Sequence, residues 1–112
     1  MTEKNTFQEL QHKMAKFVDE RSWNKFHSPK NLTMSIAIEA AELMEVFQWM
    51  DTQEARDKSL NDLKVRAQLE DEIADVIIYC LSLANTANLD LKAIIERKME
   101  RNNSRFPVGK SL

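Results

Sequence analysis

From Met34 to Met50 the chain reads MSIAIEAAELMEVFQWM, apolar almost all the way round when wound as a helix. The polar exceptions, Ser35, Glu39, Glu42 and Glu45, are spaced by three and four and share one narrow stripe. An ordinary surface helix shows the reverse proportions. A helix apolar on both flanks is expected to be packed on both flanks, with its acidic stripe facing a crevice. A second helix of this kind is predicted from about Asp62 to Ala87. From Ile73 to Ala84 its clearly polar residues are Asp75, Tyr79 and Ser82. Gln68, Glu72, Asp75, Tyr79, Ser82 and Thr86 step by four and three, which again makes one stripe.

The other elements read more conventionally. Phe7, Leu10, Met14, Phe17 and Val18 predict a first helix from Thr6 to about Arg21, with Thr6 and Glu9 in the form of a capping box. Trp23 to Asn31, WNKFHSPKN, is an interruption, since Pro29 disfavours helix at Ser28. Asn31 or Thr33 can cap the next helix. In the plain reading of this segment Trp23 and Phe26 close the end of the core and His27 lies on the surface. Asp51 to Asn61 reads as a polar connection with at most a short helical turn. Asn88 is a helix stop and Asp90 a cap for a last helix, about Leu91 to Asn103, whose Lys98, Asn102 and Arg105 share a face.

Composition narrows this to an all-α domain of four to five helices. One Gly and two Pro in 112 residues are too few breakers for a meander of short strands. The whole chain, 1–112, is expected to be one domain, with 1–5 and 109–112 loose. A net charge of -2 offers no basic bias for coating a nucleic acid. No apolar run reaches the ~20 residues of a membrane span, and the polar start MTEKNTFQEL is not a signal peptide. One cysteine, Cys80, suits a reducing cytoplasm and is most simply a small core residue.

The strongest constellation is Glu39-x-x-Glu42 on one apolar helix and Glu72-x-x-Asp75 on another. If the helices face each other, four carboxylates converge, and their repulsion calls for counter-charge. An all-oxygen set selects a hard cation, Mg²⁺ or Mn²⁺, over zinc. Salt bridges to Arg97, Lys98 or Arg101 are the ordinary alternative for either pair alone. A di-iron bundle needs Glu-x-x-His on two helices, and Glu9-x-x-His12 is the one such pair. A helical module binding a basic partner explains the charge but not why the stripe is so narrow.

These residues resemble the MazG-like, all-α nucleoside triphosphate pyrophosphohydrolase superfamily. WNKFHSPKNL, FQW, DVIIY and KMERNNSRFPV are similar to its dCTP pyrophosphatase branch, from about Leu10 to Val108. The resemblance implies Mg²⁺-dependent hydrolysis of a nucleoside triphosphate to the monophosphate and pyrophosphate, with Glu39, Glu42, Glu72 and Asp75 as metal ligands. It implies Trp23, His27 and Trp49 around base and sugar, and Tyr79 as another substrate contact. Lys98, Asn102 and Arg105 match a C-terminal basic motif assigned to the phosphates. Met14 stands where some members have a histidine near the nucleotide, which leaves the base preference open. Glu42 and Glu45 are both candidates for the general base.

Leu43, Val46 and Met50, with Ile73, Ile77 and Leu81, exceed what one small bundle can cover. They predict association through the central helices, as a dimer at least. The resemblance implies a tetramer with each site completed by a neighbour. A catalytically silent helical oligomer binding a nucleotide or a partner protein is the competing function class.

Overall fold

The computed structural model describes residues 5–109. It is all helical: α1 (Thr6–Glu20), a 3₁₀ turn (Asn24–Phe26), α2 (Pro29–Glu45), α3 (Thr52–Asn61), α4 (Leu63–Thr86) and α5 (Leu91–Arg105). The longest helix, α4, is the spine. α2 packs along it, α1 and α3 also pack on it, and α5 lies against α1. The direction of α2 is opposite to that of α4: His27, just before α2, meets Thr86 at the end of α4, while Glu39 meets Glu72 nearer its start.

Local chemistry sets the helix ends, and several differ from expectation. Asn5, not Thr6, caps α1: its side chain accepts from Gln8 N–H at 2.9 Å while Gln8 Oε1 accepts from Asn5 N–H at 3.2 Å. Asn5 is therefore tied down, whereas the expectation of loose ends at 1–4 and 110–112 lies outside the described residues. Ser28 caps α2, accepting from Asn31 N–H at 3.2 Å, so Pro29 opens the helix instead of interrupting it. Proline suits the first helical position because its missing N–H has no partner there anyway. Asn31 and Thr33 lie inside the helix.

α2 also stops earlier than Met50. After Glu45 the chain tightens into i→i−3 turns, with Val46, Phe47 and Met50 N–H bonded to Leu43, Met44 and Phe47 carbonyls. Asp51 then caps α3, accepting from Glu54 N–H at 2.8 Å. The expected polar connection is thus a ten-residue helix. Asp62 ends α3 and caps α4, accepting from Lys64 and Val65 N–H at 3.0 and 3.2 Å. α1 and α4 both end on a left-handed residue, Ser22 (φ 55) and Asn88 (φ 57). Trp23 N–H reaches back to Val18 O at 3.0 Å and Leu89 N–H to Ala84 O at 2.8 Å, which satisfies carbonyls the helix ends leave open.

The buried apolar side chains among the described residues are Val18, Leu32, Val65, Leu81 and Ala84. That is a small core. The accessible surface is 8937 Å², against about 6,400 Å² for a compact monomer of 13.1 kDa. The radius of gyration is 17.2 Å, against ~13 Å for a domain of about this size. The second apolar flanks of α2 and α4 are not packed within the chain: Ile38 and Met44 are 59% and 64% exposed, and Ile73 and Ile77 are exposed too. Leu81, expected among the associating residues, is instead core.

Candidate metal centre and its surroundings

The antiparallel run of α2 along α4 brings the two acid pairs together. One carboxylate oxygen each from Glu39, Glu72 and Asp75 lies within 4.8 Å of the others. Glu42, on the next turn of α2, stands outside that convergent group, and its charge acts on both Glu39 and Glu72. Burial raises the pKa of Glu39 above the usual carboxylate range, and the contact with Glu42 and the charges of Asp75 and Glu72 add to it. Glu72 is raised by burial first, then by the charges of Glu42 and Asp75. Glu39 Oε2 and Glu72 Oε2 are buried with no hydrogen-bond partner.

Among the described residues no cation neutralises this cluster. The ion pairs are Lys16–Glu20, Arg21–Glu20, Lys58–Glu54 and Lys92–Glu96, each local to its own segment. The salt-bridge alternative through Arg97, Lys98 or Arg101 therefore has no counterpart in the described residues. Nor does the di-iron pattern, since Glu9 and His12 are exposed on α1 and His12 joins no cluster of metal-ligating groups there. Convergent carboxylates, two of which keep a buried oxygen without a partner, fit a hard divalent cation.

Tyr79 follows Asp75 by one turn of α4 and is half-buried. Trp23 is held at the end of α1, its ring edge-on to Phe17 at 5.7 Å, with the Arg21 guanidinium 3.6 Å over the Phe17 ring. It is 43% exposed, so it does not seal the core. His27 is not a surface residue: it is half-buried, Thr86 Oγ1 donates to its carbonyl at 3.1 Å, and its Nδ1 is buried without a partner. Trp49 is 89% exposed in the turn after α2. Trp23 and His27 precede α2 and Trp49 follows it, and those 17 residues span about 25 Å. A single chain does not bring the two indoles to one base. Lys98 and Arg105 are exposed on α5 and Asn102 is half-buried; α5 packs on α1, and neither cation pairs with the cluster.

Two residues outside the sequence-predicted set tie this framework together. Gln11 is buried and its Nε2 donates to Asn85 Oδ1 at 3.1 Å and Leu89 O at 2.9 Å. Its Oε1 accepts from Leu91 N–H at 3.3 Å, and Asn85 Nδ2 donates to Gln11 O at 2.8 Å. The knot joins α1, the end of α4 and the start of α5. A signal for it exists in the sequence: Gln11 sits on the apolar face of α1, four residues after Phe7 and three before Met14. Cys80 is half-buried, and burial pushes its thiol up, which suits an inert packing residue.

Known proteins resemble this chain over most of its length. dCTP pyrophosphatase 1 of Rattus norvegicus is 37% identical over 103 residues, 92% of this chain and 60% of that protein. The Homo sapiens protein of the same name is 35% identical over the same share. The chain thus spans about three-fifths of the length of these curated relatives. The crystal structure of a pyrophosphatase from Archaeoglobus fulgidus has a TM-score of 0.83 and 39% identity, covering 96% of this chain and 97% of that one. The MazG-like family matches residues 34–112, the stretch that holds both acid pairs, and the chain belongs to that family.

Proposed function

We propose that this protein is a Mg²⁺-dependent nucleoside triphosphate pyrophosphohydrolase that converts dCTP or a modified dCTP to the monophosphate and pyrophosphate, a nucleotide-pool house-cleaning activity. The carrying observation is the convergence of Glu39, Glu72 and Asp75 oxygens with no cation to balance them among the described residues. Similarity to proteins named dCTP pyrophosphatase 1 supports the substrate class.

Glu39, Glu42, Glu72 and Asp75 would hold Mg²⁺, with Mn²⁺ as a substitute. When bound, the metal supplies charge neutralisation at the phosphate oxygens and acidifies the attacking water. Glu42, at the margin of the cluster, or Glu45, one turn further, accepts that water's proton. Lys98 or Arg105 stabilises the charge gathering on departing pyrophosphate, with Asn102 as a neutral donor. Trp23 and Trp49 supply stacking faces for the base, and Tyr79 and His27 contact the nucleoside.

The separation of Trp23 from Trp49 along α2, and the uncovered flanks of α2 and α4, support a homo-oligomer in which one chain completes another's site. Among the described residues no helix is long and apolar enough to cross a membrane. A panel of the four dNTPs with Mg²⁺ and pyrophosphate detection tests the activity. Release from dCTP first among them is the expected result. Nucleotide binding without release on any substrate would make the chain a silent binding oligomer.

A further inference from the structure

The polar stripe of α4 runs on past Tyr79 to Ser82 and Thr86. Ser82 lies two turns beyond Asp75, about 10 Å along the axis, so the acidic cluster does not account for it. Ser82, Asn85 and Thr86 form one wall of a cavity of about 190 Å³, and Asp19, Asn24 and His27 line the rest of its polar surface.

Most polar groups around this cavity are engaged. Asn24 Nδ2 donates to Asp19 Oδ1 at 2.7 Å, and Asn85 exchanges bonds with Gln11. The Thr86 hydroxyl shares its proton between His27 O at 3.1 Å and Ser82 O at 3.0 Å. Two groups are not engaged: Ser82 Oγ and His27 Nδ1 are both buried and meet no hydrogen-bond partner. Ser82 as a whole is 3% exposed. A hydroxyl on an otherwise apolar stretch of α4, sealed from bulk solvent and unserved by protein, is costly unless ordered water serves it. The cavity has the polarity and the room, since a water takes up about 30 Å³.

We propose that Ser82 is a positioning residue: water held in this cavity joins its hydroxyl to His27 Nδ1 and fixes the imidazole. The Thr86 bond fixes the backbone of the same residue. Together they hold the segment from Trp23 to Ser28 against α4. The link to turnover rests on the reading that Trp23 and His27 frame the nucleoside. Ser82 stands two turns of α4 from Asp75 and outside the acidic cluster, so its loss is expected to act on substrate binding and not on the chemical step.

The test uses Ser82→Ala and Ser82→Thr in a His12→Gln background, which leaves His27 as the one imidazole in the chain. Three readouts are taken: Tm, the His27 ring resonances by NMR, and the split between KM and kcat on dCTP. Ser82→Ala is expected to lower Tm by a few degrees, shift the His27 resonances and raise KM about threefold to tenfold with kcat within about twofold. Ser82→Thr, which keeps the hydroxyl, is expected to restore all three. A Ser82→Ala protein with raised Tm and unmoved resonances would overturn the proposal, because deleting a hydroxyl that nothing serves is stabilising. Altered resonances that threonine fails to restore would assign the effect to packing and overturn it equally. If the parent protein hydrolyses no nucleotide, the functional reading falls, and Tm and the resonances still decide the Ser82–His27 link.

Discussion

Glu39 on α2 and Glu72 on α4 hold carboxylate oxygens within 4.8 Å of each other, and each keeps one buried oxygen unpartnered. Both carboxyls are raised above their ordinary 4.5 by burial and by neighbouring acids. A group whose pKa is higher folded than unfolded favours the fold below the unfolded value and stops doing so as pH rises through the folded value. Metal-free protein is therefore expected to lose stability from this pair as pH climbs upward from about 4.5. Other carboxylates contribute their own slopes, so the measurement is the difference between wild type and Glu39→Gln in EDTA across that window. Mg²⁺ should reverse the sign of the difference in slope, because a bound cation favours the ionised pair and lowers its pKa in the fold. Parallel curves with and without metal would remove the cation from the account.

Loss of a metal ligand should exceed the ~10–100-fold cost of losing an outer partner of one. Glu39→Gln and Glu72→Gln are each expected to lower turnover at least about 100-fold. Helical content is expected to stay intact, because both side chains repel their neighbours in the metal-free fold. Isothermal titration with Mn²⁺ checks the cause: weakened metal binding should accompany lost turnover. Tight Mn²⁺ binding by an inactive variant would move that residue from metal holding to another role.

The apolar and acidic periodicity of α2 and α4 carries the fold class and the acid pairs, because a stripe of Glu39, Glu42, Glu72 and Asp75 inside apolar helices is visible at helical spacing. Caps are harder to read. Pro29 reads as a break, although proline is equally at home as the first helical residue; which of the two holds depends on Ser28 bonding Asn31 N–H. α3 escapes a periodicity argument because its largely polar ten residues carry little pattern, and its helix depends on the Asp51 and Asp62 caps. His27 reads as exposed until Thr86, distant in sequence, is placed beside it. The distance from Trp23 to Trp49 is likewise a property of α2's length and ends, which the motif alone does not carry.

Gln11 offers a prediction about the framework alone. Its side chain serves Asn85, Leu89 O and Leu91 N–H, so Gln11→Ala leaves several part-buried groups unserved at the joint of α1, α4 and α5. A stability loss of about 2–4 kcal/mol is expected from denaturant melts. Asn85→Ala should cost a similar amount, and the double variant should cost clearly less than the two together, since they share partners. Full additivity would mean that Gln11 and Asn85 do not act as one unit.

Trp23 and Trp49 stand at opposite ends of α2, so a base stacked between them requires two chains. That geometry makes a direct prediction. Glu39→Gln and Trp49→Ala are expected to be impaired as separate preparations, the first in turnover and the second chiefly in KM. Co-expressed, the Trp49→Ala chain supplies intact acids and the Glu39→Gln chain supplies an intact indole. In a symmetric oligomer with random pairing, roughly a quarter of sites would then combine both intact parts. Activity at low dCTP should rise above the average of the two separate variants. The same mixture carrying Ile38→Glu and Ile77→Glu, which place charge on the uncovered flanks of α2 and α4, should sediment as monomer and lose the gain. A co-expressed pair no better than that average would put both indoles' roles, or the shared site, in error. Sedimentation separates those two errors: an intact oligomer without complementation removes Trp49 from the neighbour's site, and a monomer removes the shared site altogether.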